Sequence, residues 1–259
     1  MSIDGSDECV RDVDQMRREL GLAGHVAPWL HALKPYPADH QLRLPDDAEA
    51  ERLLTRLGAD PIDVPETVAA RPTPHDHSAL WWLLDRVYSD TMAQLGQAVP
   101  IEGFTGWPAI PESAGVVGRH LYVWLYLALL PHIRRLHEEL GIPESLSWAN
   151  LGLLGEVMRD HRRLTGLPGL GGISHWSPPL RFRGADFRLG RLEFNRVAIA
   201  LANGACGWAL NVHIPAGEPL DVGACEDAFT AAREFFPRHF PDEPITFFVC
   251  SFWLLDPQL

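Results

Sequence analysis

The sequence predicts an α+β chain, with a helical N-terminal part followed by a mixed, mainly antiparallel sheet with flanking helices. Three observations carry this. Apolar residues recur every three to four positions up to about residue 175 and then alternate every second position. Glycines and prolines, among them Gly21, Pro35, Pro37, Pro45, Gly58, Pro61 and Pro65, cut the first third of the 259 residues into short segments. Asn203-Gly204, a tight-turn dipeptide, lies between two alternating runs. Residues 1–115 are therefore expected to be almost entirely helical, and the strands to follow residue 175.

In chain order, Asp12–Leu20 and Asp47–Leu57 read as helices stopped by Gly21 and Gly58, with Pro35, Pro37, Pro45, Pro61 and Pro65 in the turns. Asp76–Leu95 is a longer helix, capped by Asp76, with Leu80, Leu83, Leu84 and Val87 on one face. Pro100–Gly118 reads as a loop. Arg119–Leu140 is a strongly apolar helix that Pro131 should kink or split. Ser147–Thr165 is another, with Arg159, Arg162 and Arg163 near its C-terminal end, where cations suit the helix dipole. Leu167–Gly172 reads as a flexible loop. Phe187–Ile199 alternates as one strand, with Leu189, Arg191, Glu193, Asn195 and Val197 sharing a face. Cys206–Ile214 returns, with Asn211 and His213 on one side. A helix from an Asp221 cap to about Phe236 follows. Ile245–Leu254 is apolar on both faces, as a central strand covered on both sides would be.

Composition narrows the function classes. Hydrophobic residues make up 46% of the chain and charged residues 22%, with mean hydropathy −0.06, the profile of a globular protein. A formal charge of −12 speaks against nucleic-acid binding. No signal peptide is visible, and the longest apolar run, Leu121–Pro131, is far short of the ~20 residues of a membrane span. Four scattered cysteines with no C-x-x-C pair suggest reduced thiols and a cytoplasmic location. Eight arginines against three acids between residues 159 and 196 mark either an anion site or a solvated basic surface. Nucleotide-loop, zincin and serine-hydrolase signatures are absent. His75-Asp76-His77 is too sparse a ligand set for a metal, and none is expected.

The hairpin offers the most chemistry. Glu193 and Asn195 share a face of one strand, and Asn211 and His213 a face of the next. That pattern can bring a carboxylate and an imidazole into one cleft, where either could take a proton from an amine. It also describes a half-solvated sheet face. The Pro215-Ala216-Gly217 turn before the next helix could cradle an anion, although Asp221 would compete for the same N–H donors.

Three stretches carry a family likeness: Gly190-Arg191-Leu192-Glu193-Phe194; Val212-His213-Ile214-Pro215-Ala216-Gly217 running into Ala231-Arg233-Glu234-Phe235-Phe236; and Val249-Cys250-Ser251-Phe252-Trp253 through Pro257. With them, the chain from about Arg119 onward resembles a bacterial group of GNAT-like acyltransferases that carry an extra helical N-terminal acyltransferase domain. The resemblance implies a helical domain over 1–115 and a GNAT-like domain over 116–259 that is short at its C-terminus. It also implies a splayed sheet admitting the pantetheine arm of acyl-CoA, and direct passage of the acyl group to a small-molecule or peptide amine. Glu193 or His213 would be the base, with Cys250 a further candidate as a nucleophile, although its apolar strand disfavours a thiolate. Arg191, Ile214, Pro215, Ala216 and Gly217 would meet the acyl-CoA, and Asn195, Asn211 and Trp253 the acceptor. The chain departs from the family pattern where Cys250 is followed by Ser251 and Phe252 without an intervening His, and where the usual pyrophosphate loop is missing after His213. Those departures leave a non-catalytic, acyl-CoA- or partner-binding accessory protein as the rival. Two covers are expected for the last strand: a second copy of the chain, or helix Arg119–Leu140.

Overall fold

The computed structural model describes residues 13–33, 41–100, 106–172, 176–200, 204, 206–215, 217 and 219–250. Five short or medium helices come first: α1 (Val13–Glu19), α2 (Ala27–Ala32), α3 (Asp47–Arg56), α4 (Val64–Ala69) and α5 (Ser78–Ala93). A two-residue strand, β1 (Val99–Pro100), is the one strand before residue 115 among the described residues. Four helices follow: α6 (Gly115–Glu139), α7 (Glu144–Leu151), α8 (Leu153–Thr165) and α9 (Ser177–Phe182). The rest is β2 (Asp186–Leu189), β3 (Leu192–Ala200), β4 (Cys206–His213), α10 (Val222–His239) and β5 (Ile245–Cys250).

The helical half is built around α6. Its central turns, Leu121 to Leu130, are entirely buried, and α1–α5, α7 and α8 supply the surrounding core. Pro131 neither kinks this helix into two nor ends it. It sits on the exposed side of the helix. By length and composition alone, the segment over Glu112–Glu139 could cross a membrane; here it is mostly buried in protein.

Elsewhere the helices depart from expectation. Ser147–Thr165 is two helices, parted at Gly152. The cap of α5 is His77, whose side chain caps no N–H of the helix and instead accepts from Thr73 N–H, while the Asp76 carboxylate accepts from the Thr73 hydroxyl. The segment after α8 is bonded to the helical core: Leu170 N–H donates to the Arg119 carbonyl and Gly172 N–H to that of Ile110.

β3 is the spine of the sheet. It pairs antiparallel with β4 on one side, while β2 (antiparallel) and β1 (parallel) share its other side end to end. β5 lies parallel to β4, at the far edge of the described sheet. The alternating run over Phe187–Ile199 is thus two strands. A two-residue turn at Gly190-Arg191 reverses the chain, with Gly190 at φ 65°, a conformation glycine adopts without strain. The reversal puts Leu189 opposite Leu192, on the α10 face and away from Glu193. Asn203 lies outside the described residues; the strands it was expected to join pair from Glu193↔His213 to Ala200↔Cys206.

α10 starts where the sequence placed it, with the Asp221 carboxylate accepting from Ala224 N–H at 2.9 Å. It packs on one face of the sheet through Phe187, Phe194, Phe229, Phe235 and Phe236. Among the described residues, β5 is covered on one side only. Phe248 packs against Phe229 of α10, while Phe247 is 46% exposed. The helix expected over it, α6, is buried in the other core. No splay separates β4 and β5 between Trp208 and Val212, which stay paired with Ile245–Cys250.

Candidate active site

Opposite α10, the sheet faces α8 and α9. The register makes Glu193 and His213 direct cross-strand partners, and Asn195 and Asn211 the next such pair on that face. A cavity of about 330 Å³ opens beside the first pair. Leu153, Glu156, Val157 and Asp160 of α8 form one wall, Trp176 and Ser177 at the start of α9 another, and Glu193, His213, Ile214 and Pro215 the floor.

His213 lies edge-on to Trp176, ring centroids 4.4 Å apart. Burial holds its pKa below the usual imidazole value, opposed by the nearby Glu193 carboxylate. At neutral pH the ring is therefore uncharged and able to accept a proton. Glu193 is buried and is not a free base: its Oε1 lies 2.9 Å from Arg181 Nη2. The same guanidinium meets Asp186 Oδ2 through Nε at 2.7 Å and Nη2 at 2.5 Å. Burial pushes the Asp186 carboxyl up to about 7, against the pull of Arg181 and with Glu193 adding to the rise.

The other predicted residues fall into three groups. Arg191 donates to the carbonyls of Pro215 (2.9 Å) and Pro219 (3.4 Å), so it braces the β4–α10 loop carrying Ile214, Pro215 and Gly217. Asn195 is buried and donates its amide to the Ala185 carbonyl, while Asn211 stays half-buried farther along the face. Cys250 ends β5 opposite Val212, with its side chain outside the described set; Ala216 and Trp253 also lie outside the described residues.

The sequence did not single out Arg181, Asp186 or Trp176. Their signal was weak: a Pro-Pro pair at the start of a six-residue helix within the arginine-rich stretch. That stretch proves internally bonded. Arg159 reaches the Gly58 carbonyl, Arg162 Asp63, Arg163 Asp160, Arg183 Gln94, Arg188 Glu156, and Arg196 both Glu243 and the Gly96 carbonyl. A larger cavity, about 400 Å³, adjoins the start of α6, but its Arg119 and His161 are tied to Glu66 and to loop carbonyls. Among the described residues no group of three or more His, Cys, Asp or Glu could hold a metal.

Comparison with known proteins agrees with this layout. Residues 48–184 match the model of the N-acyltransferase N-terminal domain, and residues 187–259 that of the GNAT-like C-terminal domain. The chain belongs to the GNAT-like acyltransferases with an N-acyltransferase N-terminal domain. Solved members of similar structure include an acyltransferase in complex with decanoyl-CoA and teicoplanin. It is 38% identical, with TM-score 0.79 over 96% of this chain and 75% of its own. An acyltransferase mutant bound to octanoyl-CoA is 37% identical, with TM-score 0.80 over the same shares of both chains. A third, with decanoyl-CoA alone, is 38% identical, with TM-score 0.80 over 95% of this chain and 76% of its own. A comparison with curated protein sequences finds no match. As in any GNAT-like acyltransferase, the chemistry to account for is acyl transfer.

Proposed function

We propose that this chain moves a medium-length acyl group from acyl-CoA to an amine, by direct attack of the amine on the thioester. The observation that carries the reading is the Glu193–His213 pair flooring a cavity with apolar walls and an acidic rim. Leu153, Val157, Trp176 and Ile214 suit an alkyl chain, while Glu156 and Asp160 suit a cationic acceptor. The acyl-CoA and glycopeptide held by the related enzymes support this assignment of substrates.

In the proposed reaction, the amine nitrogen forms a C–N bond to the thioester carbonyl, and the C–S bond breaks. His213 accepts the ammonium proton, and the departing CoA thiolate takes one up. Glu193, a neighbouring negative charge, favours the imidazolium so formed. Holding thioester and amine together supplies several kcal/mol of the barrier reduction by proximity. In this reading the CoA diphosphate meets Arg191 at the β4–α10 loop, where the Asp221 carboxylate already accepts from Ala224 N–H of α10.

Calorimetry with octanoyl-CoA, followed by a transfer assay with an aminosugar-bearing glycopeptide, tests the proposal. Binding should be micromolar or tighter and should weaken as salt rises. His213→Ala should lower kcat by about 10²–10⁴-fold, the ordinary contribution of a general base. Binding without turnover on any amine would favour the accessory role, and no binding at millimolar acyl-CoA would reject both readings.

A further inference from the structure

The buried side of the site is more elaborate than a lone base requires. Arg181, 1% exposed, is gripped from three elements. Asp186 of β2 accepts from its Nε and lies in ion-pair contact with its Nη2, and Asn150 of α7 accepts from its Nη1 through both the backbone oxygen (3.3 Å) and the side-chain oxygen (3.2 Å). Asn150 is itself fixed: its Oδ1 accepts from Arg188 N–H at 2.7 Å, and its amide donates to the Leu146 and Arg188 carbonyls. The contact left over is Glu193 Oε1 of β3. One carboxylate would suffice to neutralise a buried guanidinium. A second exceeds what neutralisation requires, and above the Asp186 value of about 7 the cluster carries a net negative charge at the cavity floor.

We propose that Arg181 is a positioning residue for the transfer reaction, its guanidinium, set by Asp186 and Asn150, holding the Glu193 carboxylate beside His213 so that this carboxylate's negative charge stabilises the protonated ring. The proposal rests on the reading of His213 as the base. The planar fork matters. A lysine keeps the charge but cannot meet Asp186, Asn150 and Glu193 at once. The other charged groups at this cavity are Glu156 and Asp160 of α8, half-exposed and paired with Arg188 and Arg163.

The test is a double-mutant cycle on the full chain, read by the NMR titration of the His213 ring and by the pH profile of kcat. Glu193→Gln should lower the His213 pKa and reduce kcat while leaving the KM for octanoyl-CoA within twofold. Arg181→Lys should also lower the His213 pKa, with kcat falling about tenfold or more. In the Glu193→Gln background Arg181→Lys should no longer move the titration. An equal shift in both backgrounds, or none with Glu193 present, overturns the proposal. If Arg181→Lys does not fold, Asp186→Asn, a near-isosteric change, should show the same dependence on Glu193. A wild-type chain without transfer activity would reject the assignment of His213 as base, while the titration would still report on the clamp.

Discussion

At the scale of single residues, two histidines are buried for different ends. His213 sits at the wall of a cavity, whereas His137 is sealed between α6 and α7, with Nδ1 2.6 Å from Ser147 Oγ and its ring against Phe187. Burial depresses the His137 pKa to about 3, with Arg134 and Arg181 adding to the effect. The folded chain thus resists a proton that the unfolded chain accepts near pH 6.5. The stability tied to neutral His137 is complete above pH 6.5 and drains away as pH falls toward 3, for a loss of several kcal/mol. His137→Gln should flatten the dependence of urea midpoint on pH across that window. His213 gives a kinetic counterpart: kcat should rise with pH along a limb below pH 6.5, and that limb should vanish in His213→Gln. The pairing of Glu193 with His213 could be read from period-two alternation around a turn. Arg181 could not, because its role is assembled from α7, β2 and β3 and leaves no periodic trace.

At the scale of elements, α8 carries one wall of the cavity and is seated by close backbone contact. A Cβ at Gly155 would lie 2.4 Å from the Gly58 carbonyl and from the Leu57 oxygen, all backbone atoms. Gly155→Ala should therefore push α8 off the loop after α3. A cost of about 1–3 kcal/mol is expected from overpacking, with weaker acyl-CoA binding because Val157 and Glu156 move too. Thermal melts and calorimetry check both. The cap of α10 is a simpler case: Asp221→Ala should cost about 1 kcal/mol. A cap and glycine stops made several helix ends legible in the sequence, as at Gly21, Gly58, Gly166 and Asp221. The break at Gly190 was hidden, since alternation continues on both sides of a two-residue turn. α9 was hidden too, being six residues long and without a complete apolar stripe.

At the scale of the molecule, two cores meet along polar seams. The helical core and the α10–sheet core are tied by Arg196, which stacks 3.7 Å over Phe240, pairs with Glu243 and donates to the Gly96 and Gly184 carbonyls. His239 reaches across to the Leu140 carbonyl at 2.8 Å. Arg196→Met would strand Glu243 and three carbonyl contacts at a buried joint, a loss of about 3–5 kcal/mol by the usual cost of breaking a buried pair. Hydrogen exchange should then quicken in β3 and in the turn after α5 before it does in α6. The change from helix to sheet was legible because the two structures demand different periods. The seam was not, because Gly96 and Arg196 lie a hundred residues apart and announce no partner.

The two-residue strand β1 has a consequence for how such a chain can be inherited. Val99 and Pro100 belong to the helical half, yet they occupy the edge of β3 at Val197 and Ala198, just past the end of β2. A gene fragment cut between the two family regions, near residue 185, would leave those backbone donors and acceptors bare, a sticky ribbon open to pairing with its neighbours. Recombination that pairs this sheet with a foreign helical half would have to bring its own edge strand, at the same place and in the same direction. The two halves are thus bound to travel together through descent, and substitutions around Val99 and Val197 should be tolerated only in concert.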